Sequence, residues 1–152
     1  MADEISTAAE AVEASAMPRA KAVHADGGKS AEQEPLPAAM ANTPIEQKSP
    51  AQWAYERLIL YIQNFEKTLD AEHEVAMGLT DTGAGVLRIE GLGFFDPDMI
   101  TFYGSDMTGA RIQLVQHVTM LNVVLRAMQK PDAEAEARRI GFELAKSLED
   151  EI

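Results

Sequence analysis

An α+β fold is what this sequence predicts: a four-stranded antiparallel meander with a long N-terminal helix and a second helix after the fourth strand, in the order α-β-β-β-β-α. Three observations carry that expectation. An apolar stripe at helical spacing begins behind a Ser-Pro start at Ser49-Pro50. Short alternating runs with turn signals between them occupy the middle of the chain. Finally, alternation at Arg111–Leu114 gives way to a 3.6-residue period from Val118 onward.

Each element has its own warrant. Ser49-Pro50-Ala51-Gln52 has the form of a capping box with proline at the first helical position. The helix is expected to run to about Glu74, with Tyr55, Leu58, Ile62, Phe65 and Leu69 as its core stripe. Trp53, Ile59, Leu60 and Tyr61 lie off that stripe, which predicts a second covering, assigned to another subunit. Strands are expected at Val75–Leu79, Val86–Glu90 and Met99–Tyr103, with Leu87 and Ile89 on one face and Val86, Arg88 and Glu90 on the other. Thr80–Gly85, Gly91–Asp98 and Gly104–Gly109 supply the turns. After the fourth strand, Val118, Leu121, Leu125 and Met128 would form one helical face, beside a polar row of Thr119, Asn122, Arg126 and Gln129.

Domain organisation follows from composition. Residues 1–48 are rich in Ala, Glu, Ser and Pro and poor in large apolar side chains, and are expected to be a disordered acidic tail. Residues 49–152 form a single domain. There is no cysteine, so disulfides, zinc-thiolate sites and thiol nucleophiles are excluded. No run approaches the ~18 apolar residues of a membrane span, and the reading is a soluble, cytoplasmic protein.

The formal charge of −12 argues against polymeric nucleic acid as a partner, because such binding relies on clustered Lys and Arg. A small anion is another matter, since a few local arginines outweigh distant charge within a Debye length of ~10 Å.

The chemistry-bearing residues are few. The glycine pairs Gly83/Gly85 and Gly91/Gly93 lack the Gly-Lys-Ser/Thr of a phosphate loop and do not open a helix. His73 and His117 have no partner at metal-ligand spacing, and no Ser or Thr stands in a nucleophile motif. No catalytic residue, metal site or cofactor is therefore expected. Arg88 fits pairing with Glu90 or a neighbouring strand's acid. Arg138 and Arg139 fit either a solvated stripe or, pinned by Ile140-Gly141-Phe142, guanidinium forks aimed at a phosphate. Asn122 can offer an amide to an adenine edge. Phe102 or Tyr103 can stack on a ring, though packing is the commoner use of either.

Three segments carry a resemblance: Ile112–Leu125, Arg138-Arg-Ile-Gly-Phe142, and the turn and strand Asp96-Pro-Asp-Met-Ile-Thr-Phe-Tyr-Gly104. Over roughly Trp53 to Phe142 the chain resembles a small family of uncharacterised-domain proteins that includes phage anti-Thoeris signal sponges. The resemblance implies a non-enzymatic protein that sequesters a cyclic ADP-ribose isomer, with cyclic oligonucleotides as a further ligand class, and so blocks Thoeris defence in the bacterial cytosol. It implies self-association into dimers and hexamers. By position it points to Asn122 and Arg139 as ligand contacts, with Arg88 and Arg57 less closely matched. Glu136-Ala137 departs from the prolines usual before the paired arginines, and the acidic tail is atypical. The alternative is a cellular, oligomeric structural or protein-interaction module of the same fold with no nucleotide ligand.

Overall fold

The computed structural model describes residues 19–79 and 85–150. It is α+β, with three helices and one antiparallel sheet of five strands rather than four. Helix α1 is Ala38–Ala41, α2 is Pro50–Glu66 and α3 is Ile140–Asp150; the strands are β1 His73–Leu79, β2 Val86–Phe95, β3 Met99–Ser105, β4 Arg111–His117 and β5 Val123–Gln129. Their order across the sheet is β4-β3-β2-β1-β5. The first four strands form the expected meander, and the fifth returns to the free edge of β1.

That fifth strand replaces the expected second helix. Val118–Met120 is a single 3₁₀ turn, and Val123–Gln129 pairs along all of β1, from Leu79↔Val123 to His73↔Gln129. The apparent helical face is divided by the pleat. Leu125 lies opposite Met77 on the covered side of the sheet, whereas Met128 lies opposite Glu74 on the other. Two adjacent β-branched residues, Val123 and Val124, suit a pleated strand, and β1 offers an unpaired edge whose N–H and C=O groups need partners. Tertiary pairing thus overrides a short 3.6-residue pattern.

Helix α2 begins as expected. Ser49 Oγ accepts a 3.0 Å hydrogen bond from the Gln52 N–H, with Pro50 at the first helical position. Its start is tied to the β2–β3 turn by Ala51 N–H donating to the Pro97 carbonyl at 3.0 Å and by Ser49 Oγ–Asp96 at 2.5 Å. It ends at Glu66, not Glu74, because local side-chain bonds compete with the helix. Thr68 Oγ1 donates to the Phe65 carbonyl at 2.7 Å, and Asp70 Oδ1 accepts from the Glu72 N–H at 2.8 Å. The expected length of roughly 37 Å shrinks to about 25 Å for 17 residues.

The second covering of α2 comes from the same chain. Ile59 is fully buried, and the side of α2 away from the sheet meets α3 and the segment around α1. Helix α3 places Leu144 and Leu148 in the core, with Ile140 and Ala145 packed against it. Of the expected 1–48 tail, the part from residue 19 is described, and within it residues 36–40 pack on the domain: Met40 is 1% exposed and Leu36 and Ala39 pack on the core. Lys48 is buried as well, its Nζ donating to the Met40 carbonyl (2.5 Å) and to Glu56 Oε1 (2.6 Å). The Thr80–Gly85 loop, apart from Gly85, lies outside the described residues.

The core sits between the helices and one face of the sheet. Val75 and Met77 of β1, Leu87, Ile89 and Leu92 of β2, and Ile100 and Phe102 of β3 all point into it. A bulge between Ile89 and Gly91 lets β2 continue to Phe95, through what the sequence reads as a turn-rich corner. Gly104 faces the bulge at close quarters: a Cβ there would fall 2.0 Å from the Arg88 carbonyl oxygen.

Candidate binding surface

The sequence-predicted site residues go to four different places. Phe102 is fully buried in the core beneath the helices, so it cannot stack on a ligand ring without unpacking the domain. Arg57 lies on α2, its guanidinium 4.9 Å from the Trp53 ring centre and its Nε donating to the Trp53 carbonyl at 3.3 Å. Asn122 is exposed just before β5. Arg88, Arg138 and Arg139 gather at the other end of β1.

In that cluster the guanidinium groups of Arg88 and Arg139 are occupied, and that of Arg138 is half exposed. Glu74 is buried, and Arg88 Nη1 lies 3.4 Å and Arg138 Nε 3.8 Å from its Oε1. Its Oε2 accepts the Arg138 N–H at 2.7 Å. Arg88 Nη2 also donates to the Gln129 carbonyl at 3.1 Å. Arg139 donates to three carbonyls: His73 at 2.7 Å, Asp70 at 2.8 Å and Arg138 at 3.3 Å. It therefore clamps the α2–β1 turn to the start of α3. The expected pairing of Arg88 is found in its second form: the partner is Glu74, an acid of the neighbouring strand β1.

Asn122 and Arg139 do not meet within one chain. Asn122 adjoins the Leu79↔Val123 pair, while Arg139 holds His73, which pairs with Gln129. The intervening six steps of strand amount to about 20 Å at ~3.3 Å per residue.

Arg139 also borders the buried end of α2. Glu66 Oε1 accepts the Gly141 N–H at 2.9 Å, and its Oε2 is buried with no partner among the described residues. Burial pushes the Glu66 carboxyl above its ordinary value of 4.5, against the opposing pull of the Gly141 N–H and the Arg139 charge. Gly141 is needed there, since a Cβ would lie 2.6 Å from Glu66 Oε1 and 2.8 Å from Gln63 Cα.

His117 is held in a hydrogen-bonded structural role. Its Nε2 lies 3.1 Å from Asp98 Oδ2, and its Nδ1 lies 2.8 Å from Thr119 Oγ1. The same Nδ1 accepts the Thr119 N–H at 3.1 Å, and Val118 N–H donates to the Asp98 carbonyl at 2.7 Å. This is a surface brace joining the end of β4 to the β2–β3 turn. Among the described residues no group of three or more His, Asp or Glu is placed to hold a metal ion, and no helix is long and apolar enough to cross a membrane.

The face of the sheet away from the helices is the larger feature, and sequence reasoning missed it. Phe95, Val115, Val124 and Tyr103 all project from it, at 75%, 53%, 47% and 40% exposure. Tyr103 leans over two glycines of the neighbouring strand: a Cβ on Gly91 would meet its ring at 3.3 Å and one on Gly93 at 3.6 Å. A row of arginines crosses the same face. The register runs Arg111↔Ser105↔Arg88↔Ala76↔Arg126, one residue per strand. The alternation of β4 and β2 could have signalled this face; the place of Val124 and Arg126 on it could not be seen while their segment read as helix.

The architecture thus defines a two-layer domain in which helices cover one side of a sheet and no helix among the described residues covers the other. The chain belongs to a family of unknown function, DUF6173, whose model matches residues 45–143. No curated protein matches the chain. No solved structure matches it.

Proposed function

We propose that this protein is a non-enzymatic binding module that works through the open face of its sheet, in association with further copies of itself. One observation carries the reading: four large apolar side chains stand exposed on one face that no helix among the described residues covers, while Arg88 and Arg139 are engaged within the chain. Exposed apolar side chains gathered on one face in this way mark interaction sites. Five strands ~4.8 Å apart and about seven residues long give a flat footprint of roughly 550 Å². With side-chain relief, that is of the order of the ~800 Å² per partner of a standard interface.

Sedimentation equilibrium over a dilution series tests this. The expected result is a mass above that of one chain which falls to one chain in a Val115→Glu, Tyr103→Glu double variant. A wild-type protein that is monomeric at every concentration, or association indifferent to those substitutions, would overturn it.

A second reading, capture of a cyclic nucleotide signal to silence Thoeris-type defence, is supported by the resemblance carried on Ile112–Leu125, Asp96–Gly104 and Arg138–Phe142. The spacing of Asn122 and Arg139 adds a condition: both can touch one ligand only in a pocket shared between copies. Arg139→Ala is a poor probe, because it also removes three bonds to carbonyls. Asn122→Ala is cleaner, since that side chain is exposed. Melting scans with a cyclic ADP-ribose isomer should show stabilisation of roughly 2.7 kcal/mol at a hundredfold excess over its dissociation constant. Mass spectrometry should then recover the ligand uncleaved. No shift with any isomer removes this reading and leaves the interaction module.

A further inference from the structure

The arginine row raises a question that the apolar patch alone does not. Arg111 and Arg126 are exposed at its two ends, and neither has a hydrogen-bond or ion-pair partner among the described residues. Four strand spacings separate them, about 19 Å at ~4.8 Å each. Arg88 sits midway, held by Glu74. The acids beside the row are Glu74 and Glu90, the latter bonded to Ser105 Oγ at 3.1 Å. Three arginines against two carboxylates leave a local positive excess in a protein of formal charge −12. Apolar side chains flank the row: Val86 and Val124 on either side of Gly78, and Tyr103 two residues along β3 from Ser105.

The chain itself contains a segment of matching chemistry. Residues 1–18 lie outside the described structure and hold Asp3, Glu4, Glu10 and Glu13 with no Lys or Arg, together with Ile5 and Val12. The described chain starts on the helical side, where the Ala22 carbonyl accepts from Gln33 Nε2 at 3.2 Å and Glu32 bonds Tyr61 of α2. Eighteen residues reach up to about 60 Å at ~3.3 Å each, whereas sheet and helix layers stack only ~10 Å apart. The path around the sheet edge is well within reach.

We propose that the acidic N-terminal segment, residues 1–18, docks on the open face of its own chain along Arg111, Arg88 and Arg126, as a built-in competitor for whatever that face binds. This rests on the reading of the open face as the working surface. Carboxylates satisfy the two free guanidinium groups, and Ile5 and Val12 meet the valine and tyrosine margins. Attraction between such surface charges operates within a Debye length, ~10 Å at 0.1 M salt and ~3 Å at 1 M, so docking is a low-salt state.

The absence of cysteine makes the test direct. A spin label on Ser6→Cys in the full-length chain should broaden the amide signals of Tyr103, Val115 and Val124, and leave those of α3 sharp. The broadening should be lost in 1 M salt and in an Arg111→Glu, Arg126→Glu double variant whose amide spectrum otherwise remains folded. Broadening of helical signals instead, or none on the open face at low salt, overturns the proposal. So does broadening that appears only in an isotope-labelled chain mixed with a spin-labelled one, since that is contact between copies. Sedimentation of the same samples separates the two ideas: a tail that stays off the face while Val115→Glu, Tyr103→Glu still abolishes association sinks only the docking.

Discussion

Phe102 and Tyr103 are neighbours in sequence and opposites in circumstance. One is enclosed beneath two helices; the other lies across two glycines on a face that no helix among the described residues covers. The contrast extends to the whole sheet. Its covered side is saturated with contacts, and its open side carries exposed side chains of the kind that covered side buries. What this teaches is where stability and recognition are divided. The arginine cluster around Glu74 belongs with the first, though its chemistry looked like the second.

Four substitutions break or sharpen that division. The largest effect is expected from Phe102→Ala, which should cost about 3–5 kcal/mol, whereas Tyr103→Ala should cost under about 1 kcal/mol; paired urea titrations measure both. Comparable losses would mean that the open face is not a separate surface. Glu74→Ala comes next, at about 3 kcal/mol, because it strips the buried partner from Arg88 and Arg138. A near-neutral result would return those arginines to the pool of ligand contacts. Gly141→Ala should cost roughly 1–3 kcal/mol through overpacking against Gln63 and Glu66, visible as a lower melting temperature.

The smallest effect concerns pH. Glu66 has a folded-state pKa raised above 4.5, so the protonated carboxyl is the form the fold prefers. Its contribution is full below that value and declines as pH rises through the raised value. Glu66→Gln should flatten the melting temperature in that window and raise it at neutral pH. Asp70 works the other way: the His73 ring and the Glu72 N–H hold its carboxyl below the ordinary range, so its contribution is lost as pH falls through the lowered value. A melting profile unchanged by Glu66→Gln would show that α3 docking is indifferent to that charge.

Much of the fold was legible where local signals agree. Ser49-Pro50 marks the start of α2, and Leu87 and Ile89 alternate as a half-buried strand must. The end of α2 was harder to see, because it is decided by side-chain bonds from Thr68 and Asp70 rather than by any change in apolar period. The fifth strand was misread because pairing with a partner some fifty residues away leaves no mark on a local window. Helix α3 did carry a signal, Ile140, Leu144 and Leu148 at four-residue steps, on a short segment that runs past the end of the resemblance at Phe142. Of the site residues, charge type marked the arginines but did not bring Arg88 together with Arg138 and Arg139 around Glu74. It could not reveal that their donors are already spent on the carbonyls of Asp70, His73 and Gln129.

The placement of β5 beside β1 has one more consequence, for the order in which the molecule can be completed. Residues 73–79 emerge from the ribosome long before residues 123–129, and until the latter arrive β1 is paired on one margin only, with β2. A chain truncated ahead of Val123 would carry Val75 and Met77 on a raw sheet margin, the kind of template on which other chains add themselves. Premature termination in this protein should therefore yield insoluble material rather than a smaller working domain.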